Sequence, residues 1–117
     1  MTIYVAHSPY DQKARKCLDV VTDLQNRFPE HTFVCNVLAF WHLYADTPGE
    51  KLYNIETDLL MVCDKMYLTT QPIGILKKEV EYARKIGLEV VDLAAEYRAV
   101  LPLTMRNRSR DRPMDIQ

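Results

Sequence analysis

The chain has 117 residues, of which 48% are hydrophobic and 26% charged, and its formal net charge is −1 at pH 7. This length fits one domain that buries roughly two thirds of its unfolded surface, and the composition excludes an intrinsically disordered chain. A net charge this close to zero also excludes a strong overall field for attracting nucleic acid or anionic membranes.

The N-terminal part alternates strand and helix patterns. Residues 2–7 form a β-branched and aromatic run that leads into Ser-Pro, which predicts a buried first strand. Asp11 is the expected N-cap of an amphipathic helix that ends before Pro29. Its apolar residues recur at three- and four-residue spacing: Ala14, Cys17, Leu18, Val21, Leu24 and Phe28. Residues 32–37 predict a second strand, and the aromatic-rich residues 38–44 predict either an irregular loop or a short helix.

The same alternation continues after the turn at residues 47–49. A second long helix is predicted over about residues 50–62, with a buried stripe formed by Leu52, Ile55, Leu59 and Val62. Residues 66–70 predict the third strand and residues 88–93 the fourth. Between them lies a third helix with Leu76, Val80 and Ala83 on its buried stripe and Gly87 as its C′ residue. Residues 94–101 predict one more short helix.

Strands that alternate with helices of ten or more residues are typical of an α/β fold with right-handed crossovers. We therefore expect a three-layer Rossmann/flavodoxin-like sandwich with a parallel sheet of about four to five strands. Residues 1–101 would form this domain, and residues 102–117 a basic C-terminal tail, extended or mobile unless a partner orders it. In such folds ligands bind beyond the carboxyl ends of the strands, where loops 7–10, 37–44 and 69–74 should converge.

Three segments, in this order, resemble the nucleoside 2-deoxyribosyltransferase-like family. They are TIYVA at residues 2–6, YNIE at residues 53–56 followed after seven intervening residues by Asp64, and GILKKEVEYA at residues 74–83. The closest likeness is to small, mostly uncharacterised phage and bacterial members, which share the Ser-Pro-Tyr after the first strand. The resemblance spans about residues 2–93.

The resemblance implies a nucleoside or nucleotide N-glycosidase or deoxyribosyltransferase. The family's nucleophilic glutamate, which forms a covalent deoxyribosyl-enzyme, matches Glu79. Such chemistry suits a carboxylate, because cleavage of an N-glycosidic bond passes through an oxocarbenium-like state. A second acidic group would hold or protonate the base. The expected substrate-binding residues are Tyr4, Ser8, Pro9, Tyr10, His42, Glu56, Asp58 and Gly74.

Other interpretations of these residues remain open. Glu79 precedes Val80 of the buried stripe and would also fit a solvated helix face. Tyr4 would also fit the core, and Glu56 and Asp58 would also fit an exposed helix surface. His42 follows Trp41 and would equally fit a packed aromatic loop.

Two further functions also stay open. The loop at residues 69–73 contains no acidic residue, where the family's transferases carry an aspartate. This difference favours a non-catalytic binding protein for a nucleotide-derived small molecule. A structural or protein-interaction role would fit a site filled by Trp41 and Ile75.

Partners and location follow from the tail, the termini and the cysteines. Family oligomers complete each active site from a neighbouring C-terminal region, so a homo-oligomer (a dimer or higher) is implied, with residues 102–117 near the neighbour. The tail's alternating arginines have no interleaved aromatic residues, so nucleic acid is not an expected partner. No signal-peptide pattern or apolar run long enough for a bilayer is present, which predicts a cytoplasmic protein without a membrane partner. Three cysteines without CxxC spacing and three dispersed histidines predict reduced thiols, no metal and no cofactor.

Overall fold

Four strands alternate with helices in the computed structural model, which describes residues 1–8, 14–44 and 46–97. The strands are β1 (Thr2–Ala6), β2 (Thr32–Cys35), β3 (Lys65–Leu68) and β4 (Glu89–Asp92). The helices are α1 (Ala14–Arg27), α2 (Asn36–Phe40), α3 (Gly49–Leu60) and α4 (Ile75–Lys85), and a 3₁₀ turn, Trp41–Leu43, follows α2. Residues 94–97 are also helical.

The sheet is parallel throughout and has the strand order β2-β1-β3-β4, which confirms the predicted α/β class. Tyr4 of β1 stands opposite Val34 of β2 and Met66 of β3, so β1 is central. The chain leaves β1 toward β2 on one side and returns to β3 on the other. This reversal opens a crevice at the carboxyl ends of β1 and β3, where ligands bind in doubly wound folds.

Alternate residues of β1 pack against two different helix layers, because successive side chains of a strand point to opposite faces of the sheet. Ile3 and Val5 pack with residues of α1 and with Tyr97. Tyr4 and Ala6 pack with residues at the end of α3 and along α4. The sheet is therefore covered on both faces, which is the expected three-layer sandwich.

The end of the second strand differs from the prediction. β2 stops at Cys35, and Asn36 and Val37, predicted as strand, already belong to α2. The physical reason is a tertiary contact: the Asn36 amide accepts a hydrogen bond from the His7 N–H (3.0 Å) and donates one to the His7 C=O (2.9 Å). Of the two predicted alternatives for residues 38–44, the short helix is the one observed.

Two of the predicted buried stripes are wrong in part. In α3 the buried residues are Leu52, Glu56, Thr57 and Leu60, whereas Val62 is 72% exposed beyond the end of the helix. In α1, Val20 is buried and Leu18 is 51% exposed. Apolar character alone predicted the wrong rotation of α3, because an acidic residue occupies the centre of its buried face.

The predictions for the C-terminal half agree better with the structure. Leu76, Val80 and Ala83 of α4 are buried, and Gly87 has the positive φ (87°) expected of a C′ residue. The expected N-cap Asp11 and the tail at residues 102–117 lie outside the described residues. Within residues 1–8, 14–44 and 46–97, no helix combines the length and apolar character needed to cross a bilayer.

Candidate active site

A cavity of about 470 Å³ lies beside the carboxyl end of β2, between the segment that follows this strand and helices α3 and α4. This volume is within the range of about 300–1,000 Å³ that is usual for small-molecule sites. The described residues that line it are Asn36, Trp41, Tyr44, Thr47, Gly49, Leu52, Glu56, Ile75, Leu76 and Glu79.

Two glutamates from different helices meet in this cavity. Glu56 of α3 is 2% exposed and Glu79 of α4 is 1% exposed, and their carboxyl groups lie within hydrogen-bonding reach of each other. Burial, followed by the hydrogen bond and the negative charge of Glu56, raises the pKa of Glu79 to about 10. With a pKa of about 10, Glu79 keeps a proton at neutral pH, which we call the dyad proton. We call Glu56 and Glu79 the carboxyl dyad.

Each member of the carboxyl dyad also accepts a hydrogen bond from a tyrosine. The Tyr4 hydroxyl donates to Glu79 Oε1 at 2.8 Å, and the Tyr44 hydroxyl donates to Glu56 Oε2. Burial and the charge of Glu79 raise the pKa of Tyr4 well above its usual value. Burial and the hydrogen bond to Glu56 do the same for the pKa of Tyr44. Both phenols therefore stay protonated as donors over the physiological pH range.

The cavity walls are mainly apolar and aromatic. The rings of Trp41 and Tyr44 meet edge to face with their centroids 6.3 Å apart, and Leu52 and Ile75 supply aliphatic surface. Gly74, which precedes α4, has φ 57° and ψ −129°, a conformation that only glycine adopts without strain. Walls of this character can pack against the faces of a flat ring.

The main chain at the end of β1 is held by side chains from the segments that follow its two neighbouring strands. Asn36 binds both main-chain groups of His7, and Thr70 Oγ1 accepts a hydrogen bond from the Ser8 N–H at 2.7 Å. Thr69 Oγ1 donates to the Ala6 C=O at 3.2 Å. These polar groups therefore fix the main chain of residues 6–8.

Replacing Asn36 by Ala is expected to destabilise the protein by about 2–5 kcal/mol, because it leaves the buried N–H and C=O of His7 without these partners. The free energy of unfolding in urea measures this loss. Asn54→Ala is the matched control, since Asn54 is exposed on α3 and should change stability by less than about 0.5 kcal/mol. Equal effects of the two substitutions would contradict the role given to Asn36.

Three of the residues predicted from the resemblance come together in the structure. Glu79, Glu56 and Tyr4 form one hydrogen-bonded group, although Tyr4 and Glu79 are 75 residues apart in the chain. Gly74 precedes Ile75 of the cavity wall. The alternatives of a solvated face for Glu79 and Glu56 do not fit their burial, whereas Tyr4 is both a core residue and a partner of Glu79.

The other predicted residues are placed differently. Asp58 and His42 are exposed and are not among the described residues that line the cavity. Ser8 is buried, and its N–H binds Thr70. Pro9 and Tyr10 lie outside the described residues. Asp64, part of the resembling pattern, accepts a hydrogen bond from the Thr2 N–H at the opposite edge of the sheet.

Two residues of the site, Asn36 and Tyr44, were not predicted as functional. Each had a signal in the sequence. Asn36 is a polar residue near the carboxyl end of the predicted second strand, at the edge where ligands bind. Tyr44 closes the aromatic segment that follows the same strand. Only the tertiary structure pairs Tyr44 with Glu56, because the contact depends on how the 3₁₀ turn packs against α3.

No protein-family model matches the sequence, and neither the curated proteins nor the solved structures include a significant match. What the protein does must therefore be inferred from the residues of the cavity themselves.

Proposed function

We propose that the protein is a nucleoside N-glycosidase or deoxyribosyltransferase that uses the carboxyl dyad, with Glu79 as the nucleophile. The observation that supports this most is the burial of two glutamates in one cavity with aromatic walls, where Glu79 keeps a proton at neutral pH. The cleavage reaction needs a carboxylate at the anomeric carbon and a proton for the departing base. One ionised and one protonated carboxyl group supply both.

In the first step the C1′–N bond breaks and its electron pair stays on the base nitrogen. Glu56 delivers the dyad proton to the base, and the Glu79 carboxylate forms a C1′–O bond. In the second step water, or the nitrogen of another base, attacks C1′ and the ester bond to Glu79 breaks. The proton of the attacking group returns to the dyad, so the enzyme ends the cycle as it began. The Tyr4 hydrogen bond lowers the pKa of Glu79 and so favours its nucleophilic form.

The charges of the lining favour an uncharged substrate. The described residues around the cavity include two glutamates but no Lys, Arg or His. A 5′-phosphate entering this space would meet the negative charge of the dyad, and the described lining residues offer no cation to offset it. Within the proposed class we therefore favour a nucleoside over a nucleotide.

The protein is expected to release free base from at least one nucleoside at least about 10-fold faster than from the matching 5′-monophosphate, which corresponds to about 1.4 kcal/mol of charge repulsion. Chromatography of free base after incubation with a panel of nucleosides and their monophosphates measures both rates. Release from no compound at high protein concentration would overturn the proposed reaction. Faster release from the monophosphates would overturn the preference for uncharged substrates alone.

A second candidate is a non-catalytic binding protein for a nucleotide-derived small molecule. The observation in its favour is that the hydroxyl groups of Thr69 and Thr70 bind the main chain of the β1 loop, and the segment that they begin has no acidic residue to hold a sugar. Thermal-shift measurements with the same panel test binding separately, since a ligand at 100 times its Kd adds about 2.7 kcal/mol. A strong shift without any base release would favour this candidate.

The expected homo-oligomer and the cytoplasmic location remain predictions. Residues 102–117, which were expected to reach a neighbouring subunit, lie outside the described residues.

A further inference from the structure

The two tyrosines of the site act on opposite members of the carboxyl dyad. Tyr4 donates to Glu79, and Tyr44 donates to Glu56. A hydrogen-bond donor stabilises the ionised form of the carboxyl group that it contacts. Tyr4 therefore favours the dyad proton on Glu56, and Tyr44 favours it on Glu79. The two tyrosines therefore compete over which glutamate is the acid and which is the carboxylate.

Tyr4 and Tyr44 differ in burial and in the structure that surrounds them. Tyr4 is fully buried in the centre of the sheet, where the neighbouring strands hold it in place. Tyr44 is partly exposed, follows a single 3₁₀ turn, and contacts Trp41, which is 46% exposed. A ligand entering the cavity meets Tyr44 on the wall, whereas Tyr4 is not among the described lining residues. Besides the two glutamates, Cys35 at the end of β2 is a titratable group whose charge acts on Tyr44.

We propose that Tyr44 is a positioning residue that holds the dyad proton on Glu79 in the empty site. When a ligand draws the Tyr44 hydroxyl away from Glu56, the proton moves to Glu56. Glu79 is then the carboxylate, and Glu56 is the acid that the departing base needs. This inference rests on the proposed function for its purpose, but the position of the proton in the empty site can be measured without any reaction.

The test uses the full chain labelled with ¹³C at the glutamate carboxyl carbon, whose NMR shift differs between the acid and the carboxylate. Glu56→Gln and Glu79→Gln assign the two resonances. In the wild type at pH 7 the Glu79 resonance is expected at the protonated position. In Tyr44→Phe it should move toward the ionised position while the Glu56 resonance moves the opposite way, because losing a hydrogen bond to a charged group changes the ratio of the two proton positions by about 10-fold.

Tyr4→Phe is the matched control, since it also removes one phenol and keeps the ring. It removes the donor to Glu79 instead, so its Glu79 resonance should stay at the protonated position. A merely structural role for Tyr44 would give Tyr44→Phe and wild-type spectra that superimpose in these resonances, and that result would overturn the proposal. Base release is assayed separately. A protein that releases no base would contradict the proposed function, whereas the NMR spectra would still show which glutamate carries the proton.

Discussion

Replacing Glu79 by Gln is expected to abolish base release, with a loss of about 10³-fold or more, since removal of a nucleophile usually costs at least this much. The fold and the ability to bind a nucleoside should survive. A Gln carboxamide has the shape of the protonated carboxyl group that Glu79 presents in the empty site. It can accept the hydrogen bond from Tyr4 and donate one to Glu56. Chromatography of released base measures the loss, and thermal shift with nucleoside measures the retained binding.

Glu81→Gln is the matched control for this substitution. Glu81 lies two residues further along α4 and is exposed, so the same chemical change there should leave base release at the wild-type rate. A Glu79→Gln protein that released base as fast as the Glu81→Gln protein would show that Glu79 takes no part in the reaction. Activity lost from both variants would point to the charge of the helix rather than to the dyad.

The wild-type protein is expected to lose stability relative to Glu79→Gln as the pH rises from about 5 to 9. Burial raises the pKa of Glu79 from its ordinary value of 4.5 to about 10, so between these values the folded chain keeps a proton that the unfolded chain has released. Stability due to this group is therefore complete below about pH 4.5 and falls as the pH rises toward 10. The slope is at most about 1.4 kcal/mol per pH unit.

Urea unfolding of both proteins at pH 5, 7 and 9 gives this difference, because titrating groups that do not contact Glu79 contribute equally to both. The gap at pH 9 should reach a few kcal/mol, a large share of the roughly 5–15 kcal/mol that stabilises a typical domain. Glu81→Gln should follow the wild type at every pH. A difference in unfolding free energy that stays constant with pH would mean that Glu79 is ionised in the folded protein. That result would contradict the dyad proton.

Local patterns were sufficient to predict the architecture. The four strand patterns, the helices between them and Gly87 at the end of α4 can each be recognised within a few neighbouring residues, because periodicity and turn chemistry are local properties. The rotation of α3 was predicted wrongly, because that helix carries Glu56 on its buried face. The spacing of the residues would have predicted the correct face. Leu52, Glu56 and Leu60 recur every four residues, whereas Asp58 lies on the opposite side of the helix.

The candidate site was predictable only in part. Tyr4, Glu56 and Glu79 were selected by resemblance rather than by pattern, and the structure then brought them together. The sequence marks Tyr44 and Asn36 only by their position after or near a strand and does not identify their partners, because both act through contacts with distant parts of the chain. Asn36 binds the main chain of His7 across the sheet, and Tyr44 reaches Glu56 from a segment whose fold was ambiguous. A contact of this kind leaves no periodic trace along the chain.

The alternating orientation of β1 side chains has a consequence for how the gene can change. Tyr4 reaches Glu79 because it is an even-numbered residue of β1, while Ile3 and Val5 face the other layer. Deleting one codon within β1 would turn each following side chain to the other face of the sheet. The tyrosine would then face α1, and the dyad would lose its buried phenol. Both packing layers would fail together with the site. Insertions and deletions in this strand should therefore be tolerated only in pairs, because a shift by two residues keeps each side chain on its own face of the sheet.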